Sequence, residues 1–132
     1  MSFKLFVGKS KPKRRPEELQ QTAFFDYCRA MAHVHKGYEL AFAIPNERKA
    51  SIQRRVAMKR AGLTKGIPDI CVPVGNDKYN ALYIEMKVKP NRASPEQMDI
   101  LKKLNAAGNY AVICWSADEA IEIISKYLAN GL

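Results

Sequence analysis

Two apolar segments joined by a turn constrain the fold of this chain more than any other feature. Residues 70–74 (ICVPV) and 81–88 (ALYIEMKV) are rich in residues that favour β-strands, and the turn sequence GNDK lies between them at 75–78. Glycine, asparagine and aspartate are typical of tight turns. We therefore predict an antiparallel hairpin. Pro73 belongs at a strand end or a sheet edge, because proline has no N–H to donate.

Two charged residues interrupt the second strand of this hairpin. Side chains alternate along a strand, so Glu85 and Lys87 point to one face while Met86 points to the other, toward the core. If residues 75–79 form the loop, counting back along the hairpin places Asp69 directly opposite Glu85. The Cβ atoms of such opposed residues lie about 4.5–5.5 Å apart. Two carboxylates at that distance repel each other unless a cation lies between them, and Mg²⁺ prefers oxygen ligands.

A simpler interpretation competes with this one. Glu85 and Lys87 could form a surface ion pair, and Asp69 could be an ordinary turn residue. The pattern Glu-x-Lys is so common that this interpretation would be preferred for the pattern alone. The opposed aspartate, the glycine-containing turn before it and the basic composition of the chain together favour a divalent-cation site.

The rest of the chain alternates between helix and strand signals. Pro16 suits the first position of a helix, and the segments beginning at Ser94 and Ser116 have the sequence of capping boxes. We predict helices from Pro16 to about Lys36 with Gly37 as C-cap, from Lys49 to Ala61, from Pro95 to a close at Gly108, and after Ser116, and strands at 38–44, 70–74, 81–88 and 110–115. The order α-β-α-β-β-α-β-α indicates an α/β fold with a mixed β-sheet flanked by helices. We expect a flexible basic arm at 1–15 and a single domain at 16–132.

The net charge of +9 indicates a polyanionic partner, and nucleic acid is the first candidate. Basic residues crowd the first fifteen positions without one acidic residue, and a second basic cluster lies in the predicted helix at 49–61. The members of the second cluster that we expect to bind nucleic acid are Lys49, Arg54, Arg55, Lys59 and Arg60. For either cluster alone, a solvated tail or helix face is an equally good explanation.

The cysteines and the apolar segments bear on the compartment. Cys28, Cys71 and Cys114 are an odd number of widely spaced residues in apolar surroundings, so we expect buried, reduced thiols. No signal-peptide core is recognisable near the start, and no segment approaches the ~20 apolar residues of a membrane span. We therefore expect no membrane association and a cytoplasmic location, in a bacterium or a phage-infected host cell.

Three motifs in order resemble a known nuclease family. They are GIPD at 66–69, IEMK at 84–87 and SPEQ at 94–97. This combination is similar to the PD-(D/E)xK nuclease superfamily, and within it to the VRR-NUC (virus-type replication-repair nuclease) family. The segments PEELQQ at 16–21 and IPN at 44–46 also resemble that family, so the likeness extends from Pro16 to about Trp115. It implies a restriction-endonuclease-like fold.

The resemblance implies a role for each matching residue. Asp69, Glu85 and the backbone carbonyl of Met86 would bind Mg²⁺ or Mn²⁺, and Lys87 would orient or activate the attacking water. An acidic residue on the first helix completes such sites through bound water. We expect this residue to be Glu17, because Gln21 lies one turn further on the same face.

Several of these assignments have alternatives. Glu18 is the second candidate for the acidic residue of the first helix, and Glu17 could instead only complement the helix dipole. Gln97 is expected near the metal site, where it would polarise water or hold Lys87. It is equally well explained as the third residue of the capping box that begins at Ser94.

The resemblance further implies a structure-specific DNA endonuclease. Family members of this size that stand alone resemble Holliday-junction resolvases, which cut two strands symmetrically as homodimers. We therefore expect branched DNA as substrate and a homodimer, because one active site per domain requires a second copy to cut twice. The alternatives are a monomeric flap or nicking nuclease, and a non-catalytic nucleic-acid-binding protein with the same fold.

Overall fold

The computed structural model describes residues 16–45 and 51–132 of the chain. Within these ranges the chain forms five helices and four strands. In chain order they are α1 (Pro16–Met31), α2 (Lys36–Leu40), β1 (Phe42–Ala43), α3 (Ile52–Arg60), β2 (Ile70–Val72), β3 (Leu82–Met86), α4 (Pro95–Ala106), β4 (Tyr110–Cys114) and α5 (Ala117–Leu128). The predicted α/β class and element order are confirmed, with the short helix α2 as an addition.

The four strands form one mixed sheet in the order β1-β2-β3-β4. β1 pairs antiparallel with β2, β2 pairs antiparallel with β3, and β3 pairs parallel with β4. In the hairpin Ile70 is opposite Ile84. The same register, continued by one residue, places Asp69 opposite Glu85. The register counted from the sequence is therefore confirmed. β2 is shorter than predicted because it ends before Pro73.

Side-chain hydrogen bonds hold the hairpin turn in place. The Asn76 side-chain oxygen accepts hydrogen bonds from the N–H groups of Lys78 (2.9 Å) and Tyr79 (2.8 Å). The hydroxyl of Tyr127, on α5, donates to the carbonyl of Val74 at 2.7 Å. The turn is thus stabilised locally by asparagine and at a distance by α5.

Helices α1 and α5 cover the sheet and form most of the core with it. Phe24 and Cys28 of α1 and Ile124 and Tyr127 of α5 are buried against the apolar side chains of β2 and β3. All three cysteines are buried and free, as predicted. This packing fixes the position of β3, which carries the charged residues of interest.

The prediction for residues 31–44 is wrong in two respects. Helix α1 ends at Met31 and not near Lys36, so Gly37 is not its C-cap. Residues 38–40, predicted as the start of a strand, belong to helix α2, and only Phe42–Ala43 of the predicted strand pairs in the sheet. The side chain of His35 caps α2 by accepting a hydrogen bond from the N–H of Gly37 at 2.9 Å. The hydroxyl of Tyr38 donates to Ser125 of α5 at 3.2 Å. The local cap and the contact with α5 together override the β-propensity of the segment.

The two predicted capping boxes differ in outcome. At the start of α4 the complete box is present, with Ser94 and Gln97 as its members. At the start of α5, Ser116 accepts a hydrogen bond from the N–H of Glu119. The Glu119 carboxylate, however, accepts from the N–H of Trp115 at 2.7 Å and not from that of Ser116. In the second box, the reciprocal hydrogen bond therefore comes from Trp115, one residue before Ser116.

Among the residues described, no helix has the length and apolarity required to cross a bilayer.

Candidate active site

Asp69 and Glu85 meet at the end of the hairpin that lies away from its turn. Asp69 follows the GIP sequence and directly precedes β2, and its Oδ2 atom accepts a hydrogen bond from the N–H of Met86 at 2.9 Å. Its backbone carbonyl accepts from the N–H of Ile44 at 2.7 Å. Asp69 is therefore bound on both sides, to the strand that carries Glu85 and to the segment that follows β1.

Glu85 and Lys87 are buried, and so is Met86 between them. The exposed fractions are 1% for Glu85, 1% for Met86 and 6% for Lys87. The ammonium nitrogen of Lys87 lies 3.7 Å from Oε1 of Glu85. The sheet is thus covered on both faces at this point, which excludes the alternative of a surface ion pair. A buried charged pair of this kind requires compensating partners.

Gln97 closes the predicted capping box and also contacts Glu85. Its side-chain oxygen accepts from the N–H of Ser94 at 2.8 Å, which closes the capping box of α4. Its side-chain nitrogen donates to Oε1 of Glu85 at 2.9 Å. The amide therefore links the first turn of α4 to the carboxylate of β3. Its partner in this contact is Glu85 and not Lys87, which the sequence analysis considered.

Gly66 allows the loop before Asp69 to approach α4. Its φ is +86°, and a Cβ atom built there would lie 2.7 Å from the backbone carbon and oxygen of Glu96. A side chain at this position would push the loop away from the first turn of α4. The sequence motif contained this glycine, but its contact with α4 could not be read from it.

Replacing Gly66 with alanine is expected to reduce both stability and cleavage. Gly62 is the matched control, because it also has a positive φ (+104°) but no atom within 4 Å of a built Cβ. Gly62→Ala should cost about 1–2 kcal/mol for the left-handed backbone alone. Gly66→Ala should cost more, because a backbone clash is added, and should displace Asp69. Urea unfolding and a cleavage assay measure the two effects. Equal losses in the two variants would contradict the packing role.

The electrostatics of the site favour protonation of its carboxyl groups when no cation is bound. Burial, followed by the negative charge of Asp69, raises the pKa of Glu85 to about 8, while Lys87 acts in the opposite direction. Burial also raises the pKa of Asp69, although the hydrogen bond from Met86 favours its charged form. Two buried carboxyls with raised pKa values are a common property of functional sites.

Of the two acidic residues considered on α1, Glu17 lies toward the pair. Its negative charge raises the pKa of both Asp69 and Glu85. Glu18 instead lines a surface groove of about 540 Å³, together with Gln21, Phe25 and other residues of α1. Gln21 lines the same groove as Glu18. The electrostatic effect on Asp69 and Glu85 is what favours Glu17.

The donor set fits a hard divalent cation. Oε2 of Glu85 is buried and has no hydrogen-bond partner among the described residues, so this oxygen is available to a cation. In the described part of the chain, no three histidine, cysteine, aspartate or glutamate side chains form a ready-made cage. Mg²⁺ is usually bound by one or two carboxylates and retains several waters. Two carboxylates and a backbone carbonyl therefore suit Mg²⁺ or Mn²⁺ better than a metal that needs a full protein cage.

The basic residues predicted to bind nucleic acid are exposed where the structure describes them. Arg54, Arg55, Lys59 and Arg60 all lie on α3, which has no buried residue. Lys49 and the basic arm at 1–15 lie outside the described residues. Two of the basic side chains, Lys59 and Arg60, are in the last turn, where they also complement the helix dipole.

Sequence reasoning missed one polar residue near the site. The Asn91 side-chain nitrogen lies 3.5 Å from Oε1 of Glu17, with the geometry of a long hydrogen bond. Asn91 belongs to the loop that follows Lys87, and it connects this loop to α1. The PN sequence at 90–91 was a detectable turn signal. Its contact with Glu17 depends on how α1 packs beside β3.

Comparison with known proteins gives the same family as the motifs. The VRR-NUC domain model matches residues 14–118. One similar solved structure is that of a VRR_NUC domain protein, with a TM-score of 0.75 and 23% sequence identity. The match covers 91% of this chain and 93% of that chain, and at this identity it shows a shared fold. No curated protein matches the chain.

Proposed function

The chain belongs to the VRR-NUC family, a family of nuclease-type domains, and we propose that it is a Mg²⁺- or Mn²⁺-dependent, structure-specific DNA endonuclease. The observation that carries this proposal is the buried arrangement of Asp69, Glu85 and Lys87. One Glu85 oxygen has no partner among the described residues, and the other lies 3.7 Å from the Lys87 ammonium. A carboxylate pair beside a buried lysine suits phosphodiester hydrolysis.

Four groups would hold the cation. Asp69 and Glu85 would supply carboxylate oxygens, Met86 would supply its backbone carbonyl, and Glu17 would act through bound water. When bound, the cation would lower the pKa of a water molecule and stabilise negative charge on the phosphate oxygens. The hydrogen bond from Met86 to Asp69 holds one carboxylate oriented before the cation arrives.

Lys87 and Gln97 both contact Oε1 of Glu85, and we assign them different roles. Lys87 is almost fully buried, so its positive charge is little screened by solvent and can stabilise charge that develops on the phosphate. It would also orient the attacking water. Gln97 donates to Oε1 of Glu85, which leaves Oε2 as the oxygen available for the cation. Gln97 is thus a positioning residue as well as part of a cap.

DNA binding is assigned to the basic side chains of α3. Arg54, Arg55, Lys59 and Arg60 are exposed and can contact phosphates, which would make the affinity depend strongly on salt. We include Lys49 in the same surface on the basis of the sequence. Contacts of this kind position a duplex without reading its bases.

The substrate that we propose is a four-way (Holliday) junction, cut by a homodimer. One domain carries one such trio, so two symmetric cuts need two copies. The competing enzyme is a monomeric flap or nicking nuclease. A non-catalytic nucleic-acid-binding protein is the alternative of another class, and the presence of all three residues of the trio speaks against it.

Cleavage of branched DNA tests the proposal directly. The full chain is incubated with a four-way junction, a flap and a continuous duplex in Mg²⁺, Mn²⁺ or EDTA. We expect symmetric cuts near the branch point of the junction in either metal and none in EDTA. Preference for the flap would favour the monomeric nuclease. Binding without cleavage in any metal would favour the non-catalytic alternative, and sedimentation of the chain with junction DNA reports the number of copies.

A further inference from the structure

Helix α3 exposes an apolar pair within its basic surface. Ile52 is 70% exposed and Val56 is 55% exposed, and they lie one turn apart on the same face. Among the described elements, α3 packs extensively against no other helix or strand. Such a short helix gains little stability from its own hydrogen bonds in water, so an apolar face on it indicates a binding surface.

Cations surround this apolar pair. Arg55 and Lys59 follow Ile52 by three and seven positions, and Arg60 follows Val56 by four, so all three border the same face. We call Ile52, Val56, Arg55, Lys59 and Arg60 the α3 face. Its partner must combine negative charge at the edges with an apolar surface in the centre.

The segment that carries α3 lies in the chain between two residues that contact the site region. The segment that contains α3 begins after Ile44, which donates a hydrogen bond to the carbonyl of Asp69. It ends at Gly66, which lies against the first turn of α4. The residues on either side of the segment, Ile44 and Gly66, therefore lie near the carboxylate pair, where the proposed function places the DNA.

We propose that the α3 face packs on an exposed base-pair surface where the stacking of the DNA is interrupted, with Arg55, Lys59 and Arg60 on the flanking phosphates. This inference rests on the proposed function and adds the feature of the substrate that is recognised. In a continuous duplex the flat faces of the base pairs are covered by their neighbours. At a branch point or an end one face is open, and a wedge of isoleucine and valine can cover it without the cost of unstacking.

Other partners fit the α3 face less well. A second copy of α3 would bring arginine and lysine against arginine and lysine, which is unfavourable. An anionic membrane surface satisfies the charge, but two apolar side chains on a nine-residue helix bury little area in a bilayer. DNA with an open base pair satisfies both the charge and the apolar centre.

Binding measurements on the full chain in EDTA test this inference without cleavage. The probes are a four-way junction with 2-aminopurine at the branch point and a continuous duplex with equal numbers of phosphates and 2-aminopurine at its centre. The Ile52→Gln/Val56→Gln variant keeps all charges and good helix formers. Leu40→Gln is the control for loss of an exposed apolar side chain, since Leu40 is 48% exposed on α2.

We expect Ile52→Gln/Val56→Gln to weaken binding of the junction by about tenfold, in the range of stacking contacts, and binding of the duplex by less than about twofold. It should also remove the change in 2-aminopurine fluorescence, with an unchanged salt dependence. Arg55→Gln/Lys59→Gln should weaken both complexes and lower the slope of log K against log salt by roughly 0.9 per charge. Leu40→Gln should match the wild type.

Several outcomes would overturn the inference. Equal losses on both DNAs, or no loss on the junction, would show that the apolar pair does not recognise an open base pair. Loss of self-association in the variant would assign the face to a second copy, and loss of binding to phosphatidylserine vesicles would assign it to a membrane. Any of these results with intact metal-dependent cleavage leaves the proposed function standing. Failure of the wild type to bind either DNA would overturn both.

Discussion

Replacing Lys87 with methionine is expected to lower the rate of DNA cleavage by about 10²–10³-fold, the usual effect of losing a buried group that stabilises the transition state. Methionine keeps an unbranched side chain of similar length, so the packing around this nearly buried position is largely retained. What disappears is the positive charge 3.7 Å from Oε1 of Glu85. Since the basic side chains of α3 that we propose to contact phosphates are untouched, the affinity for DNA should change much less than kcat.

The control for Lys87→Met is Lys126→Met. Lys126 is a lysine on α5 whose side chain is 54% exposed and paired with Glu122, so its replacement should leave cleavage within about twofold. Single-turnover kinetics at saturating protein separate the chemical step from binding. Retention of more than a tenth of the wild-type rate in Lys87→Met would show that Lys87 is a structural partner of Glu85 only.

Replacing Glu85 with glutamine is expected to stabilise the metal-free protein while it abolishes cleavage and stabilisation by Mg²⁺. The carboxyl of Glu85 is buried beside Asp69, and its pKa is raised to about 8. A carboxyl whose pKa is higher in the folded than in the unfolded state must bind a proton on folding, so wild-type stability falls as the pH rises from about 4.5 to about 8. Glutamine has nearly the same shape but does not ionise, so the variant does not bear the cost of burying a charged carboxyl.

The gain in the free energy of unfolding of the Glu85→Gln variant should therefore be small near pH 4.5, grow with pH and level off above about pH 8. At neutral pH we expect at least about 1 kcal/mol, or about 4 °C in Tm for a domain of this size. In contrast, millimolar Mg²⁺ should raise the Tm of the wild type and leave that of the variant unchanged. Thermal unfolding at several pH values, with Mg²⁺ and with EDTA, measures both effects.

The control here is Glu39→Gln, at an exposed glutamate on α2. It should alter neither the pH dependence nor the response to Mg²⁺. If Glu85→Gln destabilised the metal-free protein and still responded to Mg²⁺, Glu85 would be a structural residue and the cation would bind elsewhere. The expected combination of a more stable and inactive variant is typical of a site that stores unfavourable electrostatics for function.

The hairpin shows how far local chemistry can predict a site. The turn residues set the number of residues in the loop, and the period-two alternation of strands then places every opposed pair. Asp69 therefore falls opposite Glu85 by counting alone, and the observed pairing of Ile70 with Ile84 has the same register. The cap of α4 was equally predictable from the sequence, because Ser94 and Gln97 interact within one turn.

The secondary structure of residues 36–44 could not be predicted from local chemistry. The sequence there has strand propensity, but Gly37 lies against Leu128 of α5, and a built Cβ would be in collision with it. The hydrogen bond of Tyr38 with Ser125 adds a second contact with the same helix. Contacts between residues about ninety positions apart decide the conformation of this segment, and no local pattern contains them.

Local sequence patterns are enough to identify the residues of the candidate site: the two carboxylates opposed across the hairpin, the lysine beside them, and the glutamine in the first turn of α4. These features depend on interactions within a turn, a helix end or one strand pair, whose geometry repeats in every protein. The packing of the folded chain, in contrast, buries Glu85 and Lys87, brings Gln97 to Glu85, and leaves Ile52 and Val56 exposed on α3. It also brings the charge of Glu17 to act on Asp69 and Glu85. Burial and long-range contacts depend on how α1, α4 and the sheet pack together, so they follow from the whole chain and not from any local pattern.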